Sequence, residues 1–522
     1  MSPKQVSLVA FEEQDNLGIG YLASTLLQDD FDVSIIDFRL GKEAILERLS
    51  HYNPILIGFS IIFQYHIEDF RDVITYLRDH GVTCHFCAGG HYPSLRYNDV
   101  FQIIPQLDSV VLFEGEYTFL ELAKTISTGK DWKQIEGLAY RDNSSIRVNP
   151  LRPLEKDLDN FPLPVRQPLK EYAFGKKYAT ILASRGCFYD CSFCSIREFY
   201  STAGGPVKRV RRPEIVVREM ELLHKQKDCS IFMFQDDDFP VTQNRGNSWI
   251  TTFCELLTTK GLHEEVLWKI NCRPDEVEDD TFELMRSCGL FLVYLGIESG
   301  TDEGLLLMNK RMNAETNINA VNTLKRLDID YDYGFMLFDP SSTPQSILDN
   351  LDFLETLCGD GSSPITFCKM LPYAGTQIEL QLEKAGRLKG KLGFYDYDFR
   401  EPSLNYLHSY MVECFSDWML KRDGLQQASR WARYYLKVYQ KYFPPHPILS
   451  DLRKTVRETV AQSNQYFINT TRRLVSLFTS QDYAQLIPTL EAIKDEVSVT
   501  HSEYTMTFYN VFDTVENLSK QL

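Results

Sequence analysis

The sequence predicts an α/β protein in three parts: a doubly wound, Rossmann-like sheet over residues 1–145, a partial TIM-like (β/α)6 barrel over 171–390, and a mostly α-helical region over 391–522. Three observations predict it. Short apolar runs alternate with amphipathic stretches as far as residue 390, which is how parallel sheets with crossover helices read. Pro150, Pro153, Pro162, Pro164 and Pro168 interrupt that alternation once, so 146–170 is an extended linker. Past residue 390, Tyr, Phe and Leu recur at helical spacing instead.

In the first part, residues 6–11, Asp32–Asp37, 55–60, 83–88 and 109–113 have the short apolar character of buried strands, and 20–28, 42–49, Ile67–Asp79 and 117–126 the period of amphipathic helices. Doubly wound sheets bind ligands beyond the carboxyl ends of their strands. Those ends carry residues 12–20, Ser60 to His66, Gly89-Gly90-His91 and Glu114-Gly115-Glu116. Paired glycines let a backbone approach a bulky ligand, although ordinary loop glycines satisfy the same pattern.

In the second part, residues 178–184 form a strand that leads into a cysteine-rich loop, 213–224 a helix opened by Pro213 in its first turn, and 230–235 the next strand. Residues 267–271, 291–296, 331–338 and 365–370 continue the barrel, whose chemistry belongs at the carboxyl ends of its strands. In the third part, Phe415, Trp418 and Met419, then Trp431, Tyr434, Tyr435, Val438 and Tyr439, read as helix-bundle core, with Pro444, Pro445 and Pro447 breaking the run.

Composition narrows the partners. A net charge of −17 and no basic stripe argue against nucleic acid, whose binding rests on clustered Lys and Arg. Residues 1–15 carry Lys4, Glu12 and Glu13 without a long apolar run, so no signal peptide is expected. The longest apolar stretch, 55–63, is too short to span a bilayer. The expectation is a cytoplasmic enzyme whose twelve cysteines are reduced thiols.

Three of those cysteines carry the chemistry. Ser184-Arg185-Gly186-Cys187-Phe188-Tyr189-Asp190-Cys191-Ser192-Phe193-Cys194 sets thiols at a C-x-x-x-C-x-x-C spacing, close enough on one loop to converge on a single inorganic cube. Three thiolates leave one iron of a four-iron cluster open, whereas an electron-transfer cluster normally has every iron tied. A zinc site or three unconnected thiols are the alternatives, but zinc wants four ligands, and no further Cys or His lies within ten residues on either side. Cys84 and Cys87 fall inside a predicted strand, where alternation sends them to opposite faces, so they are not a redox pair.

The motif closely resembles the signature of the radical S-adenosylmethionine (SAM) enzymes. The resemblance implies that Cys187, Cys191 and Cys194 hold a 4Fe–4S cluster as both its ligands and the catalytic group, with Phe193 near the adenine of SAM. It extends to Gln235-Asp236-Asp237-Asp238-Phe239 after the second strand, Arg273 after the third and Gly296-Ile297-Glu298-Ser299-Gly300 at the fourth. These imply a SAM pocket with Gly296, Glu298 and Ser299, and Asp236 at its floor; for the Asp run, a solvated loop or a helix N-cap is the alternative. Arg209 and Arg211 fit the family's R-x-R segment, or a surface pair that binds acids. Met308-Asn309-Lys310-Arg311 and Leu371-Pro372-Tyr373-Ala374-Gly375-Thr376 look like later blocks of the same family.

The first part also resembles the cobalamin-binding domain that precedes many radical SAM domains, through Asn16-Leu17-Gly18-Ile19-Gly20-Tyr21-Leu22-Ala23, Ala88-Gly89-Gly90-His91 and Phe113-Glu114-Gly115-Glu116-Tyr117. It implies cobalamin contacts at Ser60, Gly89, Gly90, Gly115 and Glu116. The Asp-x-His-x-x-Gly motif that ligates cobalt from below in many cobalamin proteins is absent, which leaves that face of the metal unassigned. A domain that has lost cobalamin is the alternative.

Together the resemblances imply a C-methyltransferase of small molecules. An electron from a flavodoxin- or ferredoxin-like donor cleaves SAM to a 5′-deoxyadenosyl radical, the radical activates an unactivated carbon, and methylcobalamin supplies the methyl group. The alternative is a radical cyclase or rearrangement enzyme in which cobalamin transfers no methyl. A methylthio transferase is disfavoured, because its family carries a second cysteine set that Cys84 and Cys87 do not supply.

Overall fold

A computed structural model describes residues 4–12, 15–143, 145–241, 249–480 and 483–521. The first sheet runs β1 (Gln5–Ala10), β2 (Asp32–Asp37), β3 (Leu56–Ser60), β4 (His85–Gly89), β5 (Ser109–Val111), β6 (Leu138–Asp142) and β7 (Ser145–Val148), in the order β2-β1-β3-β4-β5-β6-β7. The first five strands are parallel, and the last two return antiparallel along one edge. Both faces are covered, as a parallel sheet requires. Helices Leu17–Leu27 and Glu116–Ser127 pack on one face through Ile19, Ala23, Phe119 and Leu122, and helices Lys42–Tyr52 and Ile67–Asp79 on the other through Ile45, Leu49, Phe70 and Ile74. The first helix starts at Leu17 rather than residue 20 because the Asn16 side chain caps it, accepting the Ile19 N–H at 3.2 Å. Cys84 packs against one of these cores and Cys87 sits in the other, so the two thiols lie on opposite faces of the sheet.

The proline-rich connection is extended but docked. It begins later than residue 146, because 146–148 pair in the edge strand Ser145–Val148; from 149 on it holds only the 3-10 turn Leu158–Asn160, and Leu158 and Phe161 bury against Leu17 and Tyr21. Its prolines forbid a ladder, while its apolar residues still find a surface.

The second sheet comprises β8 (Glu171–Ala173), β9 (Lys176–Ile181), β12 (Cys229–Phe234), β13 (Leu267–Cys272), β14 (Leu290–Glu298), β15 (Asp330–Phe338) and β16 (Cys368–Lys369); β10 (Ser184–Arg185) and β11 (Arg209–Val210) form a small antiparallel pair beside it. Its order is β16-β15-β14-β13-β12-β9-β8. β9 and the strands from β12 on are parallel, and β8 folds back along the edge. This is a half-barrel. Its convex face, with Ala179, Phe232, Trp268, Val293 and Tyr333, packs against helices in the largest core. The last strand keeps two residues of the six expected at 365–370.

The C-terminal region is helical: Pro402–Cys414, Ser416–Met419, Leu425–Tyr442, Ile448–Ser480 and Tyr483–Lys520. Phe415, Trp418 and Tyr439 are buried in the core, while Trp431 is 36% exposed. The Leu425–Tyr442 helix also closes the half-barrel from below. Tyr434 and Val438 pack with Tyr172, Ile231, Leu267 and Phe291 at the amino ends of the strands, and the Tyr442 hydroxyl donates to the Ser230 carbonyl at 2.8 Å. Among the described residues, no helix is long and apolar enough to cross a membrane.

Candidate functional site: two cofactor sites across one gap

The cysteine loop leaves β10 through Gly186, whose φ of +85° is a left-handed conformation. A Cβ there would lie 1.8 Å from the Val207 carbonyl oxygen, so only glycine fits. The Gly186 N–H donates to Asp237 at 2.8 Å, and the Cys194 N–H to the Cys191 carbonyl at 3.1 Å. Segment 307–311 holds the far side. The Ser192 N–H donates to the Met308 carbonyl at 3.0 Å, the Ser192 hydroxyl to the Leu307 carbonyl at 2.8 Å, and Arg311 pairs with Asp190 at 2.8 Å. The Met308 to Arg311 block is thus the second wall of the loop.

Cys187, Cys191 and Cys194 are free thiols, each partly exposed, whereas seven of the other nine cysteines are buried. Burial in the loop pushes Cys187 and Cys194 up to about 12 and also raises Cys191, where Lys310 and Arg273 pull the other way. Arg273 points a guanidinium N–H at the Cys191 sulfur, 3.8 Å away, and lies 3.7 Å over the Tyr189 ring. Among the described residues, no three Cys, His, Asp or Glu side chains close on a single metal ion. Three partly exposed thiols on one glycine-turned loop suit a cluster that offers each its own iron, and do not suit a single zinc.

Beside Cys191, β14 ends in a bulge at Gly296 to Glu298, and Glu298 has a φ of +65°. A left-handed conformation is costly for glutamate and is kept where it aims a side chain. The Glu298 carboxylate turns to the concave face, with Lys310 Nζ 3.9 Å away; the same Nζ donates to the Gly296 carbonyl at 2.8 Å. Burial raises the Glu298 pKa, and Lys310 and Arg273 moderate it. Ser299 turns the opposite way: it is buried, accepts the Thr301 N–H at 3.2 Å, and braces the strand end from behind. Phe193 is half-buried against the barrel core.

The three aspartates after β12 divide the work. Asp236 is 1% exposed and accepts the Ala183 N–H and the Ser184 hydroxyl, the latter at 2.6 Å. Asp238 is paired with the buried Lys208 at 2.6 Å. Asp237 alone of the three is exposed to the cavity next to the loop, with its pKa raised to about 6 by burial. The run therefore anchors the cysteine loop from beneath, and is neither a solvated loop nor a helix cap.

Across the gap, a cavity of about 360 Å³ opens at the carboxyl edge of the first sheet. Ser60, Gly89, Gly90, Gly115 and Glu116 line one side, and Leu182, Ser184, Arg185, Phe199 and Tyr200 the other. An apolar slot floored by glycines at this edge fits part of a large planar cofactor such as cobalamin. Gly90 has a φ of +111°, and a Cβ there would sit 2.6 Å from the Ile61 carbonyl oxygen, so this glycine makes the turn that shapes the floor. His91 stacks on Phe199 at 4.1 Å and 8°, and burial lowers it to about 4, leaving a neutral ring. Of the strand-end residues 12–20, Glu13 and Gln14 lie outside the described residues.

A buried ion network ties the two halves together, which sequence reasoning missed. Glu114 accepts from Arg185 at 3.0 Å and from Arg209 at 2.8 Å through both guanidinium amines. Glu116 pairs with Arg185 at 2.8 Å, so its carboxylate meets the cavity as an ion pair. Arg211 pairs with Glu219 at 2.7 Å. The R-x-R segment is thus buried rather than a surface pair; its signal was the clustering of Arg185, Arg209 and Arg211 in an acidic chain.

Residues 4–123 match the B12 binding domain family, and residues 181–354 the Radical SAM superfamily. An uncharacterized methyltransferase of Pyrococcus horikoshii is 27% identical over 368 residues, covering 69% of this chain and 77% of that protein. An anaerobic magnesium-protoporphyrin IX monomethyl ester cyclase of Rubrivivax gelatinosus is 28% identical over 318 residues, 59% of this chain and 55% of the cyclase. The solved structure of the cobalamin-dependent S-adenosylmethionine radical enzyme OxsB with aqua-cobalamin bound superposes with a TM-score of 0.68 at 19% identity, over 99% of this chain and 81% of that one.

Proposed function

We propose that this chain, a radical SAM enzyme with an N-terminal B12-binding domain whose cofactors are a 4Fe–4S cluster, SAM and cobalamin, methylates an unactivated carbon of a small-molecule substrate. One observation carries the reading: Ser184 and Arg185 wall the cobalamin cavity, and two residues on Cys187 begins the cluster cradle, so both cofactors face one gap. When bound, the cluster and SAM supply a 5′-deoxyadenosyl radical, and cobalamin supplies the methyl group. The chain's own residues position and exclude. Cys187, Cys191 and Cys194 take three irons and leave the fourth for SAM, and Glu298 receives the SAM ammonium. Gly89, Gly90 and Gly115 bring backbone close to the corrinoid. Asp236, Asp237 and Asp238 fix the loop that separates the two. The electron donor in this reading is a flavodoxin- or ferredoxin-like protein. A second reading, cyclisation without methyl transfer, draws on the likeness to the Rubrivivax cyclase.

The test is anaerobic turnover with SAM labelled in its methyl group, hydroxocobalamin and a reductant. Label in the product supports methyl transfer, and an unlabelled rearranged product supports the second reading. Gly89→Phe probes the cavity, because a Cβ at Gly89 meets Val111 only at 3.6 Å and the ring would fill the slot without straining the turn. It should abolish corrinoid retention and labelled product while 5′-deoxyadenosine still forms. Retention of corrinoid by this variant would remove the cavity from the reading.

A further inference from the structure

The concave face of the half-barrel, beneath Glu298, carries a lysine, Lys269, that no carboxylate pairs with among the described residues. Along β13, Lys269, Asn271 and Arg273 alternate onto this face, and Tyr294 and Asp332 join them from β14 and β15. Asp332 is saturated from below. Arg433 pairs with it at 2.7 Å, the Tyr434 hydroxyl donates to its other oxygen, and Arg430 comes within 3.5 Å. Arg433 also donates to the Tyr331 and Ser362 carbonyls.

Lys269 and Arg430 have no such saturation. The Lys269 amine donates to the Asn271 amide oxygen and sits 5.8 Å over the Tyr294 ring, and no carboxylate among the described residues pairs with it. Arg430 Nε is buried and makes no hydrogen bond, and its ion pair is the 3.5 Å approach to the already shared Asp332. Lys269, Arg430 and Arg433 stand around Asp332 on this wall, Asp330 acts on Arg433 and Asp236 on Lys269 from farther off, and of the three cations Lys269 is the one that makes no ion pair among the described residues. The face is reachable: Tyr294 is 39% exposed, Gln235 is exposed, and Lys269 and Asn271 are partly so. Burial lowers the Lys269 amine to about 8, against the opposing pull of Asp332 and Asp236.

We propose that the substrate is an anion, and that Lys269, backed by Arg430, receives its carboxylate or phosphate group on the inner wall of the barrel. This rests on the reading that the concave face is the substrate site. Lys269 lies four strand residues before Arg273, which touches Cys191. At about 3.3 Å per residue the two Cα atoms stand ~13 Å apart along the strand, so Lys269 holds the end of the face away from the cluster loop. Arg430 comes from the helix that closes the barrel, so the C-terminal region contributes to substrate selection as well as to the core.

The experiment acetylates lysines of the reconstituted holoenzyme with a trace of acetic anhydride at mildly alkaline pH and reads each lysine by peptide mass spectrometry. Millimolar inorganic phosphate or malonate should slow labelling of Lys269 several-fold relative to equal ionic strength of chloride, while the exposed Lys225 is unaffected. Stronger protection by phosphate identifies a phosphoryl group, and stronger protection by malonate a carboxylate. Equal labelling of Lys269 in all three salts, or no labelling of Lys269 when Lys225 labels fully, would overturn the proposal. These outcomes do not depend on turnover, so a failure of methyl transfer is told apart from a failure of anion binding. Once labelled product is in hand, Lys269→Met should raise KM far more than it lowers kcat, with partial rescue by Lys269→Arg. A product with no group ionised at neutral pH would also overturn the proposal.

Discussion

Replacing Glu114 with Gln should loosen the joint between the two cofactor sites. Its side chain is 10% exposed, and those of Arg185 and Arg209 are 11% and 2%, so the network is shielded from solvent. Glu114→Gln removes the charge that accepts three guanidinium hydrogen bonds, keeps one amide oxygen as a neutral acceptor, and leaves Arg209 the Glu155 carbonyl at 2.7 Å and the Tyr200 ring. Breaking a buried pair by neutralising one partner costs about 3 to 5 kcal/mol. Arg185 keeps Glu116, which points to the lower end of that range, roughly a hundredfold in the equilibrium between joined and parted halves. Calorimetry of the reconstituted protein should then show the B12-binding half melting earlier, as a separate transition. The double variant with Arg209→Met should lose less than the sum of the single losses, since both remove one interaction.

Acid supplies a second check. Burial alone would raise the Glu114 pKa, but the hydrogen bond from Arg209 and the charges of Arg185 and Arg209 hold it below its ordinary 4.5. The carboxylate's contribution is therefore complete above that value and is lost as pH falls through the lower folded-state pKa. Below pH 4.5 the wild type should lose stability more steeply than Glu114→Gln. Unchanged melting of Glu114→Gln, or strict additivity with Arg209→Met, would refute the reasoning.

Two other changes address the radical centre. Cys191→Ala should remove most of the brown absorbance after anaerobic reconstitution and all reductive cleavage of SAM, whereas Cys84→Ala, outside the cradle, should leave both intact; wild-type formation of 5′-deoxyadenosine by Cys191→Ala would refute the cradle. Glu298→Ala should weaken SAM binding about ten- to a hundredfold by equilibrium dialysis, the worth of one charge-assisted hydrogen bond at ~1.5 to 3 kcal/mol. Cluster content should survive it; loss of iron with unchanged SAM affinity would make Glu298 structural.

The parts of this protein written in short range were legible in its sequence. Cys187, Cys191 and Cys194 reach a common loop because eight residues of covalent chain allow nothing wider, and strand and helix periods report burial turn by turn. Gly90 and Gly186 are legible in part for the same reason, since φ of +111° and +85° favours glycine whatever surrounds it. Tertiary structure decided everything that depends on a side chain's distant partner. The motif that holds Asp236 is visible in the sequence, but the partners of its carboxylate, Ala183 and Ser184, lie 53 and 52 residues away. Ser299 follows Glu298 directly but faces the other way, because the bulge in β14 turns one side chain to the cavity and the next to the core. Arg209 meets Glu114 across 95 residues, and Arg433 meets Asp332 across 101. Local pattern fixes which face a residue takes; what meets it there is fixed only when the two sheets and the closing helix pack, because low-dielectric burial then forces each charge to find a partner or to await a ligand.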